Sequence, residues 1–273
     1  MSLFIASLNS GSNGNCYYVG NHQEAVLIDA GISCRELEKR MKRLELKIEK
    51  VKAVFISHEH TDHISGLEVL SKKHQIPVYI SIPTLQNSRL KLEPALINSF
   101  SGHAPIAIGK LHVTAFSKSH DAADPYSFVV SQKEINIGVF TDIGYPCDRV
   151  ISHFKQCHAA FLEANYDEQM LEESGYPFHL KKRIRSERGH LSNDQSYELF
   201  RSHRPEFMSH LFLSHLSKNN NSPECALKLF RQTNTPTLIE VASRDRESAV
   251  YQIFEIAPTS RKATAAQQQM TLF

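Results

Sequence analysis

Short apolar runs rich in branched and aromatic residues recur at 2–8, 16–19, 25–29, 51–56, 77–81, 111–116, 126–130, 135–140, 159–162, 210–213 and 236–241, and they predict strands. Apolar positions at helical spacing predict helices over 34–47, 62–73, 193–203 and 223–232. Two of these carry start signals. Ser192 with Gln195 three residues on forms a capping-box pattern, and Ser222 before Pro223 places serine at the N-cap and proline at the first helical position. Strand meanders mixed with strand–helix units predict an α/β sandwich, and no repeat of fixed period is present. After about Ile256 the periodicity stops. The segment APTSRKATAAQQQ is small and polar, so a domain over 1–256 and a flexible tail over 257–273 are expected.

The composition narrows the class only modestly. At 273 residues, one large domain plus a tail fits the scale of about 150 residues per domain. Apolar residues at 41% and charged residues at 22% suffice for a real core and exclude a wholly disordered chain. No run approaches the ~18 consecutive apolar residues of a membrane span, and MSLFIASLNSG lacks a basic n-region, so a cytoplasmic protein without a membrane partner is expected. Five scattered cysteines without a CxxC pair indicate reduced thiols, neither a disulfide framework nor a thiolate zinc cluster. The net charge of +2 neither demands nor excludes a polyanionic partner. Histidine changes the picture: there are 15, and imidazole is both a general acid/base and the commonest metal ligand.

Within VKAVFISHEHTDHISGLEVL, four potential ligands stand in six residues: His58, His60, Asp62 and His63, just after an apolar strand and at a helix start. In extended chain His58 and His60 share a side, while Asp62 and His63 fall in the turn and first helical residues. One short loop can therefore serve two neighbouring cations. His120, Asp142 and His215 each follow a strand-like run, and His22, His74, His112, His153 and His203 are read as surface or packing residues. Nitrogen and oxygen donors without sulfur suit zinc, manganese or iron, with zinc or manganese preferred.

The HxHxDH pattern of His58, His60, Asp62 and His63, followed by SHDAADP, TDIG and SHLSKNN, resembles the metallo-β-lactamase-fold hydrolases. That resemblance implies an αββα sandwich of the metallo-β-lactamase type. It also implies two divalent metal ions, with His58, His60 and His120 on one, Asp62, His63 and His215 on the other, and Asp142 bridging. The opening LNSGSNGNCYYVG and VLIDAG resemble the family's first hairpin, with Asp29 structural rather than a ligand. Two cations about 3.5–4 Å apart can hold a bridging hydroxide as nucleophile, oriented by Asp62, and stabilise charge on an attacked ester or phosphoryl group.

FLEANYD with Glu163 and Asn165, RGHLSND with His190 and Ser192, and LSHLSKNNNSPE are similar to segments of the family's transfer-RNA 3′-processing endonucleases. By that similarity His190, held by Glu163, is a candidate proton donor to the leaving oxygen. Taken together, HEHTDHISG, SHDAADP, TDIG, LEANYD, GHLSN and HLSKNNN resemble the bacterial WalJ (YycJ) group more closely than the superfamily at large, which implies a nuclease on DNA, expected to be an exonuclease. Neither a β-CASP module nor a transfer-RNA-binding arm is evident. The competing readings are a small-molecule hydrolase opening a thioester, lactone or lactam, and a catalytically idle clamp- or nucleic-acid-binding scaffold.

Lys181, Lys182, Arg183, Arg185 and Arg188 precede His190, where positive groups beside metals would attract a phosphate backbone. Ser192, Lys218 and Asn220 are further phosphate candidates near helix starts. The terminal Gln269, Met270, Thr271, Leu272 and Phe273 resemble the short peptide by which bacterial replication and repair proteins dock on the sliding clamp. An apolar pair on a polar tether gains nothing in water and makes sense as a ligand.

Overall fold

The first sheet begins with β1 (Ser2–Asn9), β2 (Cys16–Gly20) and β3 (Ala25–Ile28), an antiparallel meander. It continues in parallel with β4 (Val51–Phe55), β5 (Val78–Ile80) and β6 (Ile97–Ser99). The second sheet holds β7 (Ile106–Ile108), β8 (Leu111–Ser117), β9 (Tyr126–Gln132) and β10 (Ile135–Phe140), antiparallel, then β11 (Ala159–Glu163), β12 (His210–Ser214) and β13 (Leu238–Val241), parallel. Finally β14 (Tyr251–Phe254) returns to the first sheet and pairs with β1. This computed structural model describes residues 2–102 and 104–255. The tail expected over 257–273, with its clamp-like peptide, lies outside the described residues.

Period-two alternation explains why the strands read as unbroken apolar runs. In β3, Val26 and Ile28 point into a core shared with Phe128, Val139 and Phe161 of the other sheet. Ala25 and Leu27, on the opposite face, pack under α1 (Cys34–Arg43), α2 (Thr61–Ile64) and α3 (Leu67–His74). Sheets covered on both faces have no polar side to show. After the short α4 (Ile82–Asn87), the second sheet repeats the scheme. Phe140, Ala160 and Leu162 pack under α5 (Asp148–Phe154), α8 (Asn193–His203) and α9 (Pro223–Phe230). Between these, α6 (Glu168–Glu173) and α7 (Phe178–Ile184) occupy the β11–α8 connection. The result is the expected αββα sandwich, with helix, sheet, sheet and helix layers. Among the described residues, no helix is long and apolar enough to cross a membrane.

Several expected elements shift. The helix expected over 62–73 is two helices, because Gly66 comes so close to the chain at Ile32 that a Cβ would lie 1.8 Å from the Ile32 carbonyl oxygen. The helix expected over 34–47 stops at Arg43, and Glu45 turns the chain with φ 57°. The strands β6, β7 and β14 were not apparent in the sequence pattern, being only three or four residues long. The Ser192/Gln195 capping box and the Ser222 N-cap form as expected.

Candidate metal centre

Parallel strands leave their C-terminal ends on one edge of each sheet, where ligands bind in open α/β folds. His58 follows β4, Asp142 follows β10, Glu163 ends β11 and His215 follows β12, so the topology itself gathers them. Two of these turns, and the turn after β3, are conformationally demanding. Asp29, Asp142 and His215 sit at φ 61°, 55° and 57°, the left-handed region that non-glycine residues seldom adopt. The loop at 58–63 is strapped from both sides. The Asn15 amide donates to the Asp62 carbonyl at 2.7 Å, and Glu59 Oε1 accepts from the Ala123 amide at 2.8 Å.

The side chains converge in two adjoining groups. Nε2 of His58 lies 3.0 Å from Nδ1 of His60, and the ring nitrogens of His58, His60 and His120 all fall within 4.8 Å of one another. In the second group Nε2 of His215 is 3.4 Å from Asp62 Oδ2, and Nε2 of His63 is 3.6 Å from the same oxygen. Asp142 lies between the groups. Its Oδ2 is 3.1 Å from His63 Nε2 and its Oδ1 is 3.8 Å from His120 Nε2. The structure thus brings together all seven side chains singled out in the sequence.

What the far nitrogens do decides which way the near ones face. His58 Nδ1 lies 2.9 Å from Ser57 Oγ, and His63 Nδ1 is 2.7 Å from Asp29 Oδ2. His120 Nδ1 is 3.0 Å from the Gly189 carbonyl, and His215 Nδ1 is 3.1 Å from Glu163 Oε1. In the neutral ring, with the proton on Nδ1, each Nε2 would turn its lone pair to the centre, the arrangement that orients metal-binding imidazoles.

The electrostatics divide the cluster. Burial holds His58 well below its usual pKa, reinforced by the neighbouring His63, and holds His120 down at about 4. Both are neutral at physiological pH. Burial also opposes charge on His63 and His215, but the surrounding carboxylates outweigh it: Asp142, Asp29 and Asp62 raise His63 to about 10, and Asp142, Asp62 and Glu163 carry His215 well above its usual value. In the metal-free protein, two imidazolium ions therefore stand where a cation would. Among the described residues, buried His120 Nε2 has no hydrogen-bond partner, and Asp142 Oδ2 meets only the ring of His63, at 3.1 Å. Such atoms are costly unless something coordinates them. A divalent cation with nitrogen and oxygen ligands fits the donor set.

Next to this centre, His190 Nδ1 lies 2.7 Å from Glu163 Oε1 and 3.8 Å from Asp142 Oδ1. Burial would raise the Glu163 carboxyl, but His190 and His215 hold it at about 2, so it is ionised. The ring of His190 is one-fifth exposed, unlike the deeply buried Glu163.

The basic segment is only partly open. Arg185 is held by Glu168 at 3.0 Å and Glu172 at 2.8 Å, and Lys181 donates to the Glu172 carbonyl, so neither is free for a ligand. Arg183 pairs with Asp121 at 2.5 Å and Arg188 reaches the His120 carbonyl at 3.4 Å, which sets both beside the centre, while Lys182 is exposed. Two phosphate candidates are corrected. Ser192 is buried and its Oγ accepts from the Gln195 amide as helix cap, and Asn220 is fully buried. Lys218 lines a cavity together with Ser10 and Leu216. Sequence reasoning missed Asn15 and the buried Lys118, whose Nζ donates to the Thr141 carbonyl at 2.6 Å. Of the histidines set aside, His22 packs edge-on against Phe4 and His153 stacks on Phe116.

Against known families, the β-lactamase superfamily domain is matched over residues 24–215, most of the chain and the whole run from β3 to His215. The chain belongs to the β-lactamase superfamily. Within it, the exodeoxyribonuclease YycJ of Bacillus anthracis is 35% identical over 231 residues, covering 83% of this chain and 87% of that protein. The exodeoxyribonuclease WalJ of Streptococcus pneumoniae is 32% identical over 224 residues, 80% and 83% of the two chains. The metallo-β-lactamase fold protein YhfI from Bacillus subtilis matches in structure with a TM-score of 0.70 at 16% identity, over 92% of this chain and 100% of that one. That last similarity speaks to the shared fold alone.

Proposed function

We propose that this superfamily member is a two-metal phosphodiesterase that acts as an exonuclease on DNA in the cytoplasm. The observation that carries the reading is the Glu163–His190 pair at 2.7 Å beside Asp142 and His215. Cleaving a phosphodiester leaves an alkoxide that needs a proton, and an imidazole backed by a buried carboxylate is suited to give one. The names of the two bacterial relatives support DNA as the substrate.

His58, His60 and His120 would hold one ion and Asp62, His63 and His215 the other, with Asp142 shared; zinc or manganese suits these donors. Bound, the ions would lower the pKa of an attacking water toward about 7 and take up charge on the phosphoryl oxygens. The chain's own residues do the rest. Asp62, partly exposed beside His215, orients the nucleophile. Glu163 fixes the His190 tautomer so that Nε2 exchanges the proton with the leaving oxygen. Lys182, Arg183 and Arg188 attract the strand. Gln269, Met270, Leu272 and Phe273 are proposed to tether the enzyme to the sliding clamp, and deleting Met270 to Phe273 should abolish clamp binding while sparing hydrolysis of a small diester.

The test is to incubate metal-loaded protein with 5′- and 3′-labelled duplex DNA, single-stranded DNA and RNA. Stepwise release of nucleotides from one DNA end is expected. Inactivity on every nucleic acid, with turnover of a thioester or lactone, would overturn the proposal.

A further inference from the structure

Cys34 and Glu38 stand four residues apart on α1, so they share one face of that helix, and the face meets the end of α3 at His74. Sγ of Cys34 lies 3.5 Å from Glu38 Oε1, and Nε2 of His74 lies 2.6 Å from the same oxygen. The three ligand atoms fall within 4.8 Å of one another, and none of the three residues belongs to the metal centre. Cys34 is buried, whereas Glu38 and His74 line a cavity of ≈ 500 Å³ and are partly exposed. An ion can therefore reach two of the donors from solvent, with the thiol beside them.

One carboxylate oxygen is crowded here, because the Lys73 ammonium also approaches Glu38 Oε1, at 2.6 Å. Lys73 and His74 hold the Glu38 carboxyl below its usual pKa, so it is ionised. Lys73 is more than half exposed on a flexible stem and can turn to water without unpacking anything. The other charges around the cavity offset one another, Lys42 and Lys47 against Glu45 and Glu49. Burial and the neighbouring Glu38 push the Cys34 thiol up to about 11, which makes it a poor nucleophile in the metal-free protein. A divalent cation would replace the thiol proton and the Lys73 charge together. Thiolate, imidazole and carboxylate are the donor types that zinc takes. Among the described residues, the other four cysteines enter no such group of three donors.

We infer that Cys34, Glu38 and His74 form a further zinc site, distinct from the metal centre, that clamps α1 to α3. The inference does not depend on the nuclease reading. Both helices grow out of the chain that supports the histidine loop: the Ala30 amide donates to the His63 carbonyl at 2.8 Å, and the Gly66 amide donates to the Ala30 carbonyl at 2.9 Å. An ion across the two helices locks that support from outside. With three protein donors and a thiol proton to displace, the site takes its ion after the centre has filled.

The test titrates reduced, metal-stripped full-length protein with cobalt(II) and follows its absorption. The metal centre offers no sulfur, so a thiolate-to-cobalt charge-transfer band in the near ultraviolet reports this site alone. The band should appear once the centre is filled and be absent from Cys34→Ala. In His74→Gln it should be lost or need at least about tenfold more cobalt, as for other removed metal partners. Both variants should bind the earlier equivalents as wild type does. His74→Gln changes a partly exposed residue, so it keeps the test decisive if Cys34→Ala folds poorly. In a second measurement, zinc added beyond the amount that fills the centre should raise the Tm of wild type by several degrees and leave that of His74→Gln unchanged. No sulfur band with excess cobalt would overturn the site and leave an ion-pair cluster only. A band that grows at the same cobalt concentration in His74→Gln would equally overturn the clamp between the helices.

Discussion

Oδ2 of Asp29 lies 2.7 Å from Nδ1 of His63, and neither side chain is exposed. The same carboxylate accepts the Ser57 amide and hydroxyl, each at 2.8 Å, so one left-handed aspartate braces both the start and the end of the histidine loop. Replacing Asp29 with Asn keeps the shape and removes the charge. Metal affinity should fall about 10–100-fold with the fold retained, as for other partners of metal-binding imidazoles. Chelator competition measures it, and unchanged affinity would contradict the bracing role.

Metal uptake should release protons. His63 at about 10 and His215 well above its usual value are charged in the metal-free protein at neutral pH and must become neutral to coordinate. The sign follows: a raised folded pKa stabilises the metal-free state fully below the unfolded value near 6.5 and loses that stabilisation as pH rises toward about 10. Metal affinity should therefore climb from pH 6 to pH 9. Calorimetry in buffers of different ionisation enthalpy reads the proton count directly, and a binding heat independent of buffer would contradict the assignment.

Gly31 makes the closest backbone approach in the site. A Cβ there would stand 1.7 Å from the Asp62 carbonyl oxygen and 2.6 Å from the Asn15 amide nitrogen. Gly31→Ala must push the 58–63 loop aside, so a loss of at least ~1–3 kcal/mol is expected, a fall in Tm of several degrees, together with lower metal occupancy. Thermal melts with and without metal would show the added stability from metal shrinking. A variant that melts and binds like the parent would contradict the packing argument.

Arg40 is a buried hub. Its Nη1 donates to the Leu8 carbonyl at 2.7 Å and Asn9 Oδ1 at 2.6 Å, its Nη2 to the Asp245 carbonyl at 3.1 Å, and its Nε to Glu36 at 2.9 Å. Arg40→Ala strands those acceptors, and a loss of about 3 kcal/mol is expected in urea denaturation. A change below about 0.5 kcal/mol, the size of an ordinary surface substitution, would show the network to be dispensable.

Much of this centre was legible because ligand chemistry and strand ends coincide. His58, His60, Asp62 and His63 crowd one loop, and Asp142 and His215 each follow an apolar run that could only be a buried strand. Partnerships across the chain were not legible. Asp29 and His63 stand 34 residues apart, and nothing in VLIDAG announces a bond to an imidazole. Ser192 was misread for the opposite reason: its residue type suits both a helix cap and a phosphate, and only burial separates the two. Arg185 likewise looked available until α6 supplied Glu168 and Glu172. The short strands β6 and β7 owe their existence to neighbouring edges rather than to their own pattern.

The central claim is that seven side chains hold two cations needed together to cleave DNA. Metal-stripped protein should be titrated with manganese or zinc while release of label from duplex DNA is followed. Activity should saturate at two equivalents of metal per chain and vanish in excess chelator, with Asp142→Ala folded and inactive throughout. Full-rate cleavage in the stripped protein, or saturation at a single equivalent, would contradict the account.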